Sequence, residues 1–254
     1  MSMDDIFLAH ITDTHLFARS DGSLMGVNTE QSLLAVLADI RASGMPFAAA
    51  IATGDLVHDE TILGYERLRR HLETLAVPVF CVPGNHDDAK RMASVLQQGL
   101  VTMQRGWSSG RWHFRFLNSA QPGEVAGRLF AAEVGELAVW LSERHEHDRV
   151  VVGIHHPPLP VGSAWLDRIG LIDPEPLLEV LTSHPSVAAM VCGHVHQEWE
   201  VYQGSMRCMT SPSTCAQFKP GSADFAQDQE APGWRWLRCL ADGSLQTGVR
   251  RVTR

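Results

Sequence analysis

The sequence has no Cys-x-x-Cys pair, no basic run and only two lysines, Lys90 and Lys219. Its cysteines, Cys81, Cys192, Cys208, Cys215 and Cys239, are odd in number and irregularly spaced, so neither a disulfide framework nor a zinc ribbon is indicated. Reduced, buried thiols are expected instead. The shortage of lysine, with a formal net charge of -8, speaks against a nucleic-acid or anionic-membrane partner. The longest apolar stretches, residues 47–53 and 77–82, fall far short of the ~20 residues that cross a bilayer. The N-terminus, Met-Ser-Met-Asp-Asp, is acidic where a signal peptide is basic. These absences predict a cytoplasmic protein with no membrane and no nucleic acid among its partners.

What remains is a composition of 44% hydrophobic and 20% charged residues over 254 positions, suited to a soluble chain with a large core. No linker, repeat or low-complexity tract divides it, so residues 1–254 are expected to form a single domain. Histidine is the anomaly. There are 13, and several sit in short clusters beside Asp, Asn and Gly, which points to metal or acid/base chemistry.

Short β-rich runs alternate with helical periodicity, predicting an α/β architecture. Residues 7–11 form the first expected strand. A helix follows, with Asn28 as N-cap, Gln31 three residues on, Leu33, Val36, Leu37 and Ile40 on one face, and Gly44 as its stop. A strand over 47–53 precedes a helix with Ile62, Tyr65, Leu68, Leu72 and Leu75 on its apolar face. A third strand, 77–82, leads to a helix carrying Ala89, Met92, Val95 and Leu96. Later strands are expected at 112–117, 150–154, 188–191 and 234–240, with helices around 134–143 and 177–181. Parallel strands joined by helices place their C-terminal loops along a common edge.

Five polar clusters follow these strands: Asp13-Thr14-His15, Gly54-Asp55, Gly84-Asn85-His86-Asp87, His155-His156-Pro157 and Gly193-His194-Val195-His196. Asp-x-His and His-x-His are each expected about 0.7–0.8 times by composition alone, whereas Gly-Asn-His is expected about 0.01 times. Position after a strand, repeated five times, therefore carries the signal. His145-Glu146-His147 has the same His-x-His spacing but lies at the polar end of a predicted helix, where solvent-facing rings are expected. Taken singly, Asp13 or Asp55 would serve as a cap and Asn85 as a turn residue. Taken together, two carboxylates, one amide oxygen and four imidazoles suit Mn, Fe, Zn, Co or Ni better than Ca or Mg. Seven donors exceed one ion's needs. Asp55 is accordingly placed between two metals, with Asp13, His15 and His196 completing one site and Asn85, His155 and His194 the other.

The set Asp-x-His, Gly-Asp, Gly-Asn-His-Asp, His and Gly-His-x-His resembles the calcineurin-like metallophosphoesterases at every motif. The stretches 12–18, 26–29, 158–167, 212–220 and 232–234 are similar to the class III cyclic AMP phosphodiesterases of bacteria within that family. The resemblance implies a four-layer αββα sandwich of two packed mixed sheets flanked by helices. It also implies two divalent or mixed-valence transition ions, Fe and/or Mn first, with Zn, Co or Ni also suited. The implied reaction is hydrolysis of 3',5'-cyclic AMP to 5'-AMP by in-line attack of a metal-bridging hydroxide. His86 corresponds to the family's non-ligand catalytic histidine, and His86 and Asn85 face the substrate. Asp87 either fixes the His86 tautomer or caps the next helix. His156 is expected beside the ligands or toward substrate, while His10 and His58 are expected to be local hydrogen-bonding partners. Trp165 and Phe218 are candidates either to stack on adenine or to cover the core edge. The partner is a small cyclic nucleotide, and the protein a monomer or homodimer. Two other readings stand beside this one: a broader phosphodiesterase acting on glycerophosphodiesters or 2',3'-cyclic nucleotides, and a non-catalytic metal-binding scaffold.

Overall fold

A computed structural model describes residues 5–253; residues 1–4, the start of the Met-Ser-Met-Asp-Asp stretch, and Arg254 lie outside it. In chain order the main strands are β1 (Ile6–Ile11), β2 (Phe47–Thr53), β3 (Val79–Val82), β4 (Val101–Thr102), β5 (Gly106–Ser109), β6 (Trp112–Phe116), β7 (Arg149–Gly153), β8 (Val187–Cys192), β9 (Trp199–Gln203), β10 (Met206–Thr210), β11 (Gly233–Cys239) and β12 (Leu245–Arg251). The helices are α1 (Thr29–Ala42), α2 (Ile62–Glu73), α3 (Ala89–Leu96), α4 (Ala131–Ser142), α5 (Ala164–Asp167) and α6 (Glu175–Ser183).

Two six-stranded sheets result, in the orders β12-β11-β1-β2-β3-β4 and β9-β10-β8-β7-β6-β5. In the first, β1 to β4 are parallel, and β11 and β12 add antiparallel strands at one edge. In the second, β6, β7, β8 and β10 are parallel, with antiparallel β5 and β9 outermost. Side chains alternate across each strand, so each buried strand feeds two cores. Leu8, Ile51, Phe80, Val151, Val191 and Met209 meet between the sheets. Ala9, Ala50 and Cys81 face the other way, against Leu33, Leu37, Tyr65, Leu72 and Met92 of α1–α3. Val150, Val152 and Met190 pack on Leu137, Leu141, Leu177 and Leu181 of α4 and α6. These three cores make the four-layer αββα sandwich that the resemblance implied. Each fully buried aliphatic side chain contributes roughly 1.5–3 kcal/mol.

Most expected elements stand within a residue or two of their places. Asn28 caps α1, its Oδ1 accepting from the Gln31 amide at 2.9 Å, and Gly44 follows the helix at φ +71°. The strand expected from Val77 begins at Val79, since Pro78 has no N–H for a ladder. Ile62 does not join the apolar face of α2: it occupies the first turn and is 45% exposed. The hairpin β11–β12 extends the chain past the predicted 241–243 turn. Each strand pairs along its whole length, and Gly243 in the turn sits at φ +90°. Among the described residues no helix is long and apolar enough to cross a membrane. All five cysteines are buried and free of disulfides.

Candidate metal centre

The five polar clusters leave the carboxyl ends of β1, β2, β3, β7 and β8, so they gather where the two sheets face one another along one edge. The loops after β1 and β2 are joined by backbone hydrogen bonds: Asp13 N–H donates to Gly54 O, His15 to Asp55 O and Leu16 to Leu56 O, at 2.9–3.0 Å. Two glycines allow the close approach. A Cβ on Gly84 would lie 2.2 Å from Asp55 Oδ1, and one on Gly193 would lie 2.0 Å from Thr12 Oγ1.

All seven sequence-selected donor residues converge. His15 Nε2 lies 3.1 Å from His196 Nε2, and His196 Nε2 is 3.3 Å from Asp13 Oδ1. His155 Nε2 and His194 Nδ1 approach Asn85 Oδ1 at 3.3 and 3.0 Å. Asp55 lies between the two groups, with Oδ2 3.7 Å from His15 Nε2 and Oδ1 3.3 Å from His155 Nε2. Six of the seven are buried, and Asn85 is partly so. Asp13, His15, Asp55, His194 and His196 all have φ between +43° and +71°. Such backbone costs of order 1–3 kcal/mol per residue and persists where surrounding structure enforces it.

Hydrogen bonds orient the rings. His155 Nδ1 donates to Thr53 O at 2.6 Å and His196 Nδ1 to Ala216 O at 2.8 Å, turning both Nε2 lone pairs into the cluster. Burial lowers the pKa values of His15 and His194 to about 3, so their rings are neutral. Burial opposes ionisation of Asp55 too, but His155 and His15 outweigh it and hold the carboxyl well below its ordinary range. Asp13 is lowered against the same burial effect by His196. For His155, burial is overcome by Asp55 and then Asp13, which raise it to about 9. A proton there balances carboxylate charge that a cation would balance otherwise. The facing Nε2 atoms of His15 and His196, 3.1 Å apart, fit a cation site, as does the mixed oxygen and nitrogen donor set.

A cavity of about 160 Å³ opens onto this cluster, lined by His15, Asp55, Asn85, His86, His194 and His196 on the polar side. Leu24, Met25, Val125, Trp165, Ile169 and Phe218 form its apolar wall. A larger hollow of about 350 Å³ beneath the C-terminal ends of α1 and α2 has no acid or histidine in its lining.

The remaining expectations divide. His10 is a local partner, bonded to Thr53 Oγ1 and Ser211 Oγ. His156 is held through both nitrogens by Ser119 Oγ and Val125 O, beside His155 and His194. His145 and His147 are exposed, as expected of a solvent-facing pair. Asp87 takes neither predicted role. Its carboxylate accepts the amides of Gly84, Leu56 and Val57 and the Tyr65 hydroxyl, tying the loops after β2 and β3 together. Burial and then Asp55 push its pKa up to about 6. Asp88 caps α3 instead. Phe218 stacks on His196 at 4.1 Å and 13° and meets Trp165 edge-on, so both aromatics border the cavity. His58, expected to be only a local partner, also lines it.

A calcineurin-like phosphoesterase family model matches residues 8–198. The chain belongs to this family. Members carry a dinuclear metal centre, and the clusters Asp13–His15–His196 and Asp13–Asp55–His155 have their donor atoms within 4.8 Å of one another. Similarity extends to named relatives. A 3',5'-cyclic adenosine monophosphate phosphodiesterase of Vibrio vulnificus is 40% identical, covering 99% of this chain and 92% of its own length. The enzyme of the same name from Pseudomonas aeruginosa is 37% identical, over 97% and 90%. In fold, the chain is similar to a dimetal phosphatase from Danio rerio, with a TM-score of 0.63 at 16% identity over 98% of this chain and 99% of the other.

Proposed function

We propose that the protein is a dinuclear metal-dependent phosphodiesterase that hydrolyses 3',5'-cyclic AMP to 5'-AMP in the cytoplasm, the whole chain acting as one domain. The observation that carries the reading is Asp55, whose two carboxylate oxygens each face a different histidine, Oδ2 facing His15 and Oδ1 facing His155. Asp13, His15 and His196 would hold one ion and Asn85, His155 and His194 the other, with Asp55 shared. Fe and Mn suit these donors best, with Zn, Co and Ni also compatible. The bound pair supplies Lewis acidity toward the phosphate and toward water.

The chain's own residues do the rest. Asn85 offers a neutral oxygen, so a third carboxylate does not cancel the attraction for an anionic diester. Asp55 Oδ1 accepts the His86 backbone N–H at 2.8 Å, fixing the start of a side chain that lines the cavity. There the ring can donate a hydrogen bond to the phosphate and a proton to the departing oxygen. The apolar wall from Leu24 to Phe218 contains no charged side chain and suits a nucleoside better than a second anionic group.

The names of the relatives support cyclic AMP as substrate, and the same wall favours a flat, uncharged substituent over glycerol. Steady-state kcat/KM for cyclic AMP should exceed that for a bis-aryl phosphate. A large preference for the aryl diester would instead assign the broader phosphodiesterase activity.

A further inference from the structure

The loops that carry His15 and Asp55 continue their backbone pairing for one more step: His58 N–H donates to Leu16 O at 2.8 Å. This brings the His58 ring against two residues from different clusters. Its Nδ1 lies 3.1 Å from His15 Nδ1. Its plane stacks on His86, with centroids 4.9 Å apart at 27°, and the Phe17 ring lies tilted against it at 5.0 Å.

We infer that His58 is a positioning residue with two separable tasks: its Nδ1 fixes the tautomer of His15, and its ring holds His86 in place. The inference rests on the proposed function, in which His15 binds a metal through Nε2 and His86 meets the phosphate. The partners assign the protons. His15 Nε2 faces Asp55 and His196, so a lone pair there requires the His15 proton on Nδ1, donated to His58 Nδ1. His58 must then carry its own proton on Nε2. The pattern matches His155 and His196, where a carbonyl oxygen takes the Nδ1 proton. At His15 an imidazole acts as that acceptor, and being a ring it can also support His86. Among the described hydrogen bonds His15 Nδ1 has no other side-chain partner.

Two substitutions separate the tasks. His58→Asn places Oδ1 near the position of Nδ1, keeping the acceptor and losing the ring. His58→Phe keeps a ring against His86 and loses the acceptor. Chelator-stripped wild-type and variant proteins would be titrated with Mn2+, followed by calorimetry and by cyclic AMP turnover at saturating Mn2+. His58→Phe should bind one of the two ions roughly 10–100-fold more weakly, while its kcat with both sites filled falls less than that of His58→Asn. His58→Asn should bind both ions with wild-type affinity while kcat falls roughly 2–10-fold, the worth of an aromatic pair. Equal losses of affinity and kcat in both variants, or wild-type behaviour in both, would overturn the inference while leaving the metal reading intact. A wild-type protein that takes up no Mn2+ would overturn both.

Discussion

Asp55→Asn should lower cyclic AMP turnover by at least ~10^3-fold, about 4 kcal/mol of barrier, and reduce metal uptake below two ions per chain. The substitution is chosen because Asn keeps the size of the side chain and an oxygen to accept the His86 amide, held at 2.8 Å in the native protein. Backbone geometry should therefore survive. The charge is lost, and with it the carboxylate whose oxygens lie 3.7 Å from His15 Nε2 and 3.3 Å from His155 Nε2. Asp13 cannot replace it, because its oxygens accept the His194 amide at 3.1 Å and face His196. Metal content after dialysis, measured beside kcat, checks the prediction. Two tightly held ions with wild-type turnover in Asp55→Asn would remove the shared-carboxylate arrangement.

His86→Ala should behave differently, losing roughly 10^2–10^4-fold in kcat, the usual worth of a positioned proton donor, while both ions remain. The separation is possible because the His86 ring makes no side-chain hydrogen bond to any of the seven donor residues. It meets His15 only edge-on, at 5.2 Å, and stacks on His58. A phenolate-leaving diester needs less protonation of its leaving oxygen, so the variant should lose less on that substrate than on cyclic AMP. Retained metal with unchanged turnover on both substrates would cancel the catalytic assignment of His86.

The clusters were legible because parallel strands leave their carboxyl ends on one edge, so polar groups directly after β1, β2, β3, β7 and β8 had to come near one another. Asn28 and Gly44 were legible for a local reason, since capping depends on neighbours three or four residues away. Contacts decided by tertiary packing were not. Asp87, by its sequence position a partner for His86 or a cap, bonds amides 30 and 31 residues earlier, across a loop contact that no local pattern encodes. His58 is 43 residues from His15 and looks like a lone loop histidine until the two loops pair. The cluster's positive φ values are also invisible to periodicity. The one available hint is chemical, since Asp and His tolerate that region better than most side chains. Trp165 lies on a helix of four residues, too short to show a period, and its place on the cavity wall depends on Phe218 from a distant segment.

Turnover should depend on two ions bound by these seven side chains. A titration of chelator-stripped protein with Mn2+, following bound metal and cyclic AMP hydrolysis together, measures this. Negligible activity without metal, rising to its maximum as the second equivalent binds, is the predicted result. Equal activity in the stripped and loaded protein, or saturation with activity at a single ion, would contradict it.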